Sequence, residues 1–121
     1  MVGRVIAKDL ATDPQIKVSV VDKDPHALAR ISSETAVDII QADLSNPDTV
    51  RTVVRECDLV VGAVPGFLGF QTLRAVLNAD KNYCDISFLP EDALELNALA
   101  KAKGVTAVVD CGVAPGMSNM I

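Results

Sequence analysis

The sequence has few aromatic residues, one histidine and no excess of positive charge. Aromatic side chains make up 3% of the 121 residues and tryptophan is absent, so small aliphatic side chains must fill the core. The formal charge is -5, and no stretch concentrates lysine or arginine. Binding to nucleic acid or to an anionic membrane needs such a basic patch. We therefore expect a small-molecule ligand, with neither nucleic acid nor membrane as a partner.

Long apolar runs are also missing. The longest, such as residues 59–65, fall far short of the ~20 residues that a membrane helix needs. The first residues show helical spacing instead of the basic region, apolar stretch and cleavage site of a signal peptide. These features predict a cytoplasmic location.

Cysteine and histidine are too sparse for a metal site or a disulfide framework. Cys57, Cys84 and Cys111 are an odd number without a C-x-x-C pair, and each lies beside a predicted strand. We interpret them as small buried thiols. His26 follows Asp24 and Pro25 at the start of a predicted helix, which is typical of a solvated side chain. No Ser-His-Asp set can be assembled without it, and no metal-ligand cluster is present.

Helical and strand patterns alternate along the chain. This alternation predicts an α/β fold with a doubly wound parallel sheet, in which ligands bind at the carboxyl ends of the strands. The chain forms one unit, residues 1–121, without an internal linker. Helices are predicted at 2–10, 26–33, 47–56, 71–79 and 90–103, and strands at 16–22, 36–43, 58–65, 83–87 and 105–111. The apolar strand 58–65 is predicted to be buried on both faces.

The first residues match the end of a dinucleotide-binding fingerprint. That fingerprint is a strand, G-x-G-x-x-G, a helix, and an acidic residue ~20 positions later for the ribose hydroxyls. Gly3 precedes the helical pattern and Asp22 follows 19 residues later. We interpret Gly3 as the third glycine, so the first strand and two glycines would be missing and the chain would be a fragment. The alternative is an incidental glycine and an aspartate that only caps a turn.

Longer stretches extend this match. The segments "VSVVDKDPHAL", "LVVGAVPGFLGF", "YCDIS" and "VVDCGVAPGMSN" resemble the nucleotide-binding domain of the saccharopine dehydrogenase family. Within that family they are most similar to the lysine 6-dehydrogenase and saccharopine reductase-like branch. The resemblance covers nearly the whole chain and implies a Rossmann-like NAD(P)-binding domain, truncated at both ends. The substrate domain of the family has no counterpart in these residues.

The resemblance implies an adenosine side of the cofactor site. Gly3 would lie beneath the pyrophosphate, at a helix start that favours anions. Asp22 would accept hydrogen bonds from the ribose hydroxyls and disfavour a 2′-phosphate, which predicts NAD as the cofactor. Lys23 could soften that preference and admit NADP. Asp43 and Leu44 would border the adenine, although Asp43 could instead cap the following helix.

The resemblance also implies a nicotinamide side. Val64, Pro65 and Gly66 would form the loop past which the dinucleotide runs, with an ordinary strand end as the alternative. A second loop, over the nicotinamide, would be shaped by Gly112, Pro115 and Gly116.

Asp85 is the predicted catalytic residue. It lies in a strand that otherwise has a buried pattern, and a buried carboxylate is costly unless it is paired or hydrogen bonded. It would orient the substrate amine or take part in proton transfer. The alternative is a carboxylate that only accepts hydrogen bonds from backbone N–H groups.

Two functions are compatible with these residues. The resemblance implies an oxidoreductase that moves hydride between the cofactor and a C–N bond of a small amino acid, with the missing domain supplying substrate contacts and a homo-oligomer interface. The N-terminal half also resembles the regulatory NAD-sensing domains of potassium channels and transporters. "YCDIS" and "DCGVAPGMSN" favour the oxidoreductase.

Overall fold

The computed structural model describes residues 2–87 and 89–112 and confirms the α/β class. The chain divides into two compact units, Met1–Leu44 and Ser45–Ile121. Each unit contains its own parallel sheet, so the strands that the sequence predicts in one sheet occur in two. In the described part of the chain no helix is long and apolar enough to cross a membrane.

The first unit alternates two helices with two strands. β1 and β2 pair in parallel, with Ser19 opposite Asp38 and Asp22 opposite Gln41. Asp24 caps the second helix by accepting a hydrogen bond from the His26 N–H. The elements are α1 (Val2–Leu10), β1 (Ser19–Asp22), α2 (Pro25–Glu34) and β2 (Asp38–Gln41).

The second unit contains a three-stranded parallel sheet in the order β3-β4-β5. Its core lies where α4 packs on β3 and β4, and the side chains of Leu73, Val76, Leu77 and Tyr83 are buried there. The elements are α3 (Pro47–Val53), β3 (Leu59–Gly62), α4 (Gly66–Asn78), β4 (Asn82–Asp85), a short 3-10 helix (Ala93–Leu96), α5 (Asn97–Lys103) and β5 (Ala107–Val108).

Several predicted boundaries are corrected. α4 begins at Gly66, directly after Pro65, instead of at residue 71, because proline is compatible with a helix start and the following residues continue the helical pattern. The predicted helix 90–103 starts as a 3-10 turn capped by Asp92 and becomes α-helical only at Asn97. It ends, as predicted, at Lys103, and the following residue is Gly104, whose φ of 67° suits glycine.

The prediction that the third strand is buried on both faces is wrong for the observed β3. Leu59 is 57% exposed and Val61 37% exposed, whereas Gly62 is buried. Because successive side chains of a strand point to opposite faces, a helix that covers one face leaves alternate residues open. Apolar composition alone does not reveal this.

The cysteines also differ from their prediction. Cys57 and Cys84 are half-buried and Cys111 is exposed. For Cys111 the reason is local, because β5 ends at Val108 and Cys111 lies in the segment that follows it.

Candidate functional site

Asp22 is the last residue of β1 and is half-buried. One of its carboxylate oxygens, Oδ1, accepts a hydrogen bond from the Asp24 N–H over 3.0 Å. The turn-capping role considered as an alternative is therefore present. It does not use up the carboxylate, which has about four lone-pair positions for further donors. Lys23 is exposed, and its carbonyl accepts a hydrogen bond from the side-chain amide of Gln41 over 3.3 Å.

The other predicted adenosine-side residues lie in the same unit. Gly3 is in the first turn of α1 and is half-buried. Asp43 is exposed and Leu44 is half-buried, just beyond the end of β2. The residue that caps α3 is Asn46, which accepts from the Asp48 N–H over 2.9 Å. The capping role considered for Asp43 thus belongs to Asn46.

In the second unit, Val64 and Pro65 connect β3 to α4, and Gly66 is the first helical residue. Pro65 occupies the N-cap position, and no side chain caps the helix there. The first N–H groups of an α-helix have no partner within the helix and carry partial positive charge. This helix has 13 residues and follows a parallel strand after a short loop, and such a helix start favours anionic groups.

Asp85 ends β4 and its side chain is fully buried, at 0% exposure. Its Oδ1 accepts a hydrogen bond from the Ser87 N–H over 2.6 Å. The Ser87 hydroxyl in turn donates to the Val64 carbonyl over 2.9 Å. Asp85 is thus connected through Ser87 to the loop before α4.

The environment of Asp85 raises its pKa. Burial is the main cause, and the nearby Asp110 adds to it, while Ser87 and Tyr83 act in the opposite direction. A raised pKa keeps the carboxyl protonated at pH values where an exposed aspartate is ionised. Burial also raises the pKa of Tyr83, with the charge of Asp85 as the next cause. Within the described residues, the Tyr83 hydroxyl and Asp85 Oδ2 have no partner in hydrogen-bonding geometry, although each group shifts the pKa of the other.

Sequence analysis did not identify the contact that places Tyr83. A Cβ added to Gly62 would lie 1.8 Å from the Tyr83 hydroxyl oxygen, so the tyrosine occupies the space that the missing side chain leaves on the neighbouring strand. A glycine inside an apolar strand is a sign of such close approach. Gly62 in "LVVGAVP" was that sign. The role of Ser87 was not predicted because its hydroxyl bonds the Val64 carbonyl, which lies in another loop.

The residues after β5 are described only as far as Gly112. Gly112 is half-buried, and the preceding Cys111 donates its N–H to the Asp85 carbonyl over 3.1 Å. The remaining predicted loop residues, Pro115 and Gly116, lie outside the described residues. Within the described part of the chain, no group of three or more His, Cys, Asp or Glu residues could hold a metal ion.

A surface depression of about 440 Å³ lies elsewhere in the first unit. It is lined by residues 14–18 and 36–38, before β1 and around the start of β2. Asp22 lies at the opposite end of β1. Ligands of parallel sheets bind at the carboxyl ends of the strands, so this depression is not the expected site.

Comparison with known proteins identifies the family. The profile described as "Saccharopine dehydrogenase NADP binding domain" matches residues 1–108. A curated relative, the saccharopine dehydrogenase (NADP(+), L-glutamate-forming) of Pyricularia oryzae, is 23% identical over 113 residues, which are 93% of this chain and 25% of the relative. The chain therefore spans about a quarter of that relative's length.

Two solved structures show the same kind of fold. The apo saccharopine dehydrogenase (L-Glu forming) of Saccharomyces cerevisiae has a TM-score of 0.87 at 17% identity, covering 97% of this chain and 26% of that one. The galactitol-1-phosphate dehydrogenase of Escherichia coli has a TM-score of 0.50 at 16% identity, covering 77% of this chain and 29% of that one. At these identities the likeness concerns the fold alone. Because the profile covers most of its residues, the chain belongs to the saccharopine dehydrogenase NADP-binding domain family.

Proposed function

We propose that this chain is the dinucleotide-binding part of an oxidoreductase that acts on a C–N bond of an amino acid. The observation that carries the proposal is the family profile, which extends over residues 1–108. The same observation favours the oxidoreductase over a regulatory NAD-sensing domain. A substrate of the saccharopine type, a secondary amine between two amino-acid skeletons, is proposed because the curated relative carries that name.

The first unit binds the adenosine half of the dinucleotide. Asp22 accepts hydrogen bonds from the ribose hydroxyls, because a carboxylate at the end of this strand is the usual partner for them. Gly3 lies under the pyrophosphate at the start of α1, while Asp43 and Leu44 border the adenine. The names of the family and of the relative both include NADP. We propose nonetheless that Asp22 makes this chain prefer NAD, since a carboxylate repels a 2′-phosphate, and exposed Lys23, the next residue in the sequence, is a compensating cation.

The second unit binds the nicotinamide half. The uncapped start of α4 and the loop formed by Val64, Pro65 and Gly66 hold the phosphates and ribose on that side. Gly112 supports the nicotinamide from the segment after β5. The bound dinucleotide supplies the hydride acceptor or donor, and the protein orients it and keeps water away.

The role of Asp85 as a catalytic residue stays a prediction. Its complete burial and its bond from the Ser87 N–H support the alternative, in which the carboxyl organises the end of β4. In that role it acts through Ser87, whose hydroxyl holds the Val64 carbonyl. We propose Asp85 as a positioning residue for the loop before α4.

The test is an assay of the full-length protein with NAD or NADP and either saccharopine or lysine. Amino-acid-dependent reduction of the nicotinamide, together with binding of the dinucleotide in calorimetry, would support the proposal. Tight dinucleotide binding without turnover of any amine substrate would favour the NAD-sensing alternative. Failure to bind either dinucleotide would contradict both functions.

A further inference from the structure

Two cysteines from different parts of the chain lie side by side in the second unit. Cys84 is in β4, and Cys111 follows β5. Their Sγ atoms are 3.5 Å apart although 27 residues separate them in the sequence. The sequence pattern does not predict this contact between two thiols, because the contact depends on which strands pair.

Backbone hydrogen bonds hold this pair in place. β4 and β5 are parallel neighbours, with Cys84 opposite Val108. Beyond the last paired residues, the Cys111 N–H donates to the Asp85 carbonyl over 3.1 Å and fixes the segment after β5 against the end of β4. The cysteines are therefore brought together by the sheet and not by a chance approach of two flexible loops.

We propose that Cys84 and Cys111 form a reversible intramolecular disulfide when the protein meets a hydroperoxide. A disulfide needs an S–S distance of about 2.05 Å, so the sulfur atoms have to approach by roughly 1.5 Å. Rotation of the two side chains supplies movement of this size. The proposal concerns a modification site and is independent of the proposed enzymatic function.

Exposure decides the order of the two chemical steps. Cys111 is exposed and Cys84 is half-buried, so Cys111 meets the oxidant. Its thiolate attacks one peroxide oxygen, the O–O bond breaks, and the other oxygen leaves and takes up a proton, as water when the oxidant is hydrogen peroxide. Cys111 is then a sulfenic acid. The sulfur of Cys84 attacks the Cys111 sulfur, the S–O bond breaks, and the hydroxyl leaves as a second water with the Cys84 proton.

With hydrogen peroxide, the overall balance is two thiols and one peroxide giving one disulfide and two molecules of water; an organic hydroperoxide gives one molecule of alcohol and one of water instead. The two thiols lose two electrons, and the peroxide gains them. Burial raises the pKa of Cys84, and the neighbouring Cys111 raises it further, so Cys84 suits the second step better than the first. A low-molecular-weight thiol returns the pair to its reduced form by exchange.

Cys57 is the matched control within the same unit. It is half-buried like Cys84, and it has no thiol partner among the described residues. If simple accessibility governed oxidation, Cys57 and Cys84 would respond alike. If proximity governs it, only Cys84 and Cys111 become linked.

The experiment is peptide mapping of the full-length protein after treatment with hydrogen peroxide. Trypsin cuts after Arg55, Lys81 and Lys103, so the three cysteines fall in separate peptides. The protein is oxidised, blocked with an alkylating reagent, digested without reductant and analysed by mass spectrometry. The unmodified sequence and the variants Cys57→Ser, Cys84→Ser and Cys111→Ser are compared, with circular dichroism to verify folding.

The expected product is a cross-link between the peptides that begin at Asn82 and Gly104, lighter than their sum by two hydrogen atoms. It should form in the unmodified protein and in Cys57→Ser, disappear on treatment with dithiothreitol, and be absent from the other two variants. Three results would each overturn the proposal: oxidation of Cys111 to sulfinic acid without a cross-link, equal cross-linking of Cys57, or disulfides only between molecules. The unmodified protein alone gives the decisive result if a variant does not fold.

Discussion

The hydroxyl of Ser87 donates a hydrogen bond to the carbonyl of Val64 over 2.9 Å and joins the residues after β4 to the loop before α4. The Ser87 N–H is in turn bound by Asp85. Ser87 is buried; the bond that its N–H donates is buried as well, and the bond that its hydroxyl donates is partly buried. This pair of bonds sets the position of the loop that is proposed to face the dinucleotide.

Replacing Ser87 with alanine should lower the free energy of unfolding by about 0.5–1.5 kcal/mol, because the carbonyl of half-buried Val64 loses its donor. Dinucleotide affinity should fall as well if the loop binds the cofactor. Chemical denaturation and calorimetry measure the two effects. Ser33→Ala is the control, since the Ser33 hydroxyl also donates to a carbonyl but is exposed, and it should change little. Equal effects of the two substitutions would show that the Ser87 bond has no special importance.

Gly62→Ala should destabilise the second unit strongly. Its new methyl group would lie 1.8 Å from the Tyr83 hydroxyl oxygen, and a tyrosine that is 1% exposed has no room to move away. Overpacking of a core costs typically about 1–3 kcal/mol, and thermal denaturation should show the loss. Gly104→Ala is a useful comparison because a Cβ there meets no atom within 4 Å, although its φ of 67° adds some strain.

Tyr83→Phe should leave stability unchanged or raise it. The Tyr83 hydroxyl is buried and has no hydrogen-bond partner among the described residues. Removing an unsatisfied polar atom costs nothing in hydrogen bonding and relieves its desolvation. A loss of more than about 1 kcal/mol in chemical denaturation would mean that the hydroxyl does bond in solution, with Asp85 as its nearest candidate.

The raised pKa of Asp85 predicts a pH dependence of stability. The folded protein holds the Asp85 proton more tightly than the unfolded chain, whose aspartates titrate near 3.8. The stability that Asp85 contributes is therefore fully present below that value and is lost as pH rises through the folded-state pKa. Asp85→Asn removes this loss of stability at higher pH and keeps a side-chain oxygen that can accept a hydrogen bond from the Ser87 N–H.

Asp85→Asn should therefore gain stability relative to the unmodified protein as pH rises from 4 to neutrality. Denaturation curves measured at several pH values would show this gain. Asp58→Asn, at an exposed position, is the control and should show no such trend.

In the full-length protein, Asp85→Asn should retain turnover within about tenfold if Asp85 only positions the loop. A loss of about 10²–10⁴-fold with unchanged dinucleotide affinity would instead support acid–base catalysis.

Local signals allowed the sequence to predict the α/β class and several helix ends. The side chains of Asp24 and Asn46 cap the helices that begin at Pro25 and Pro47, and the backbone of Gly104 takes the left-handed conformation after α5. These signals depend on neighbours only a few residues away. The same locality explains the placement of Asp22 at the end of a strand.

Contacts between strands could not be predicted in this way. The packing of Tyr83 against Gly62 and the approach of Cys84 to Cys111 both depend on which strands pair and in which register. The exposure of Leu59 depends on which face of β3 a helix covers. An apolar run indicates neither the pairing of its strand nor the face that a helix covers. The sequence therefore predicted a strand at β3 but not what surrounds that strand.

Binding of the dinucleotide ribose by Asp22 is tested most directly by calorimetric titration of NAD and NADP into the full-length protein and its Asp22→Ala variant. Asp13→Ala is the matched control, because Asp13 Oδ1 accepts from the Gln15 N–H over 2.9 Å as Asp22 does from Asp24, but away from a strand end. We expect NAD to bind more tightly than NADP, Asp22→Ala to weaken NAD binding by about 1–3 kcal/mol, and Asp13→Ala to leave NAD binding unchanged. Failure to bind either dinucleotide, or equal losses in the two variants, would contradict the role of Asp22 in binding the ribose.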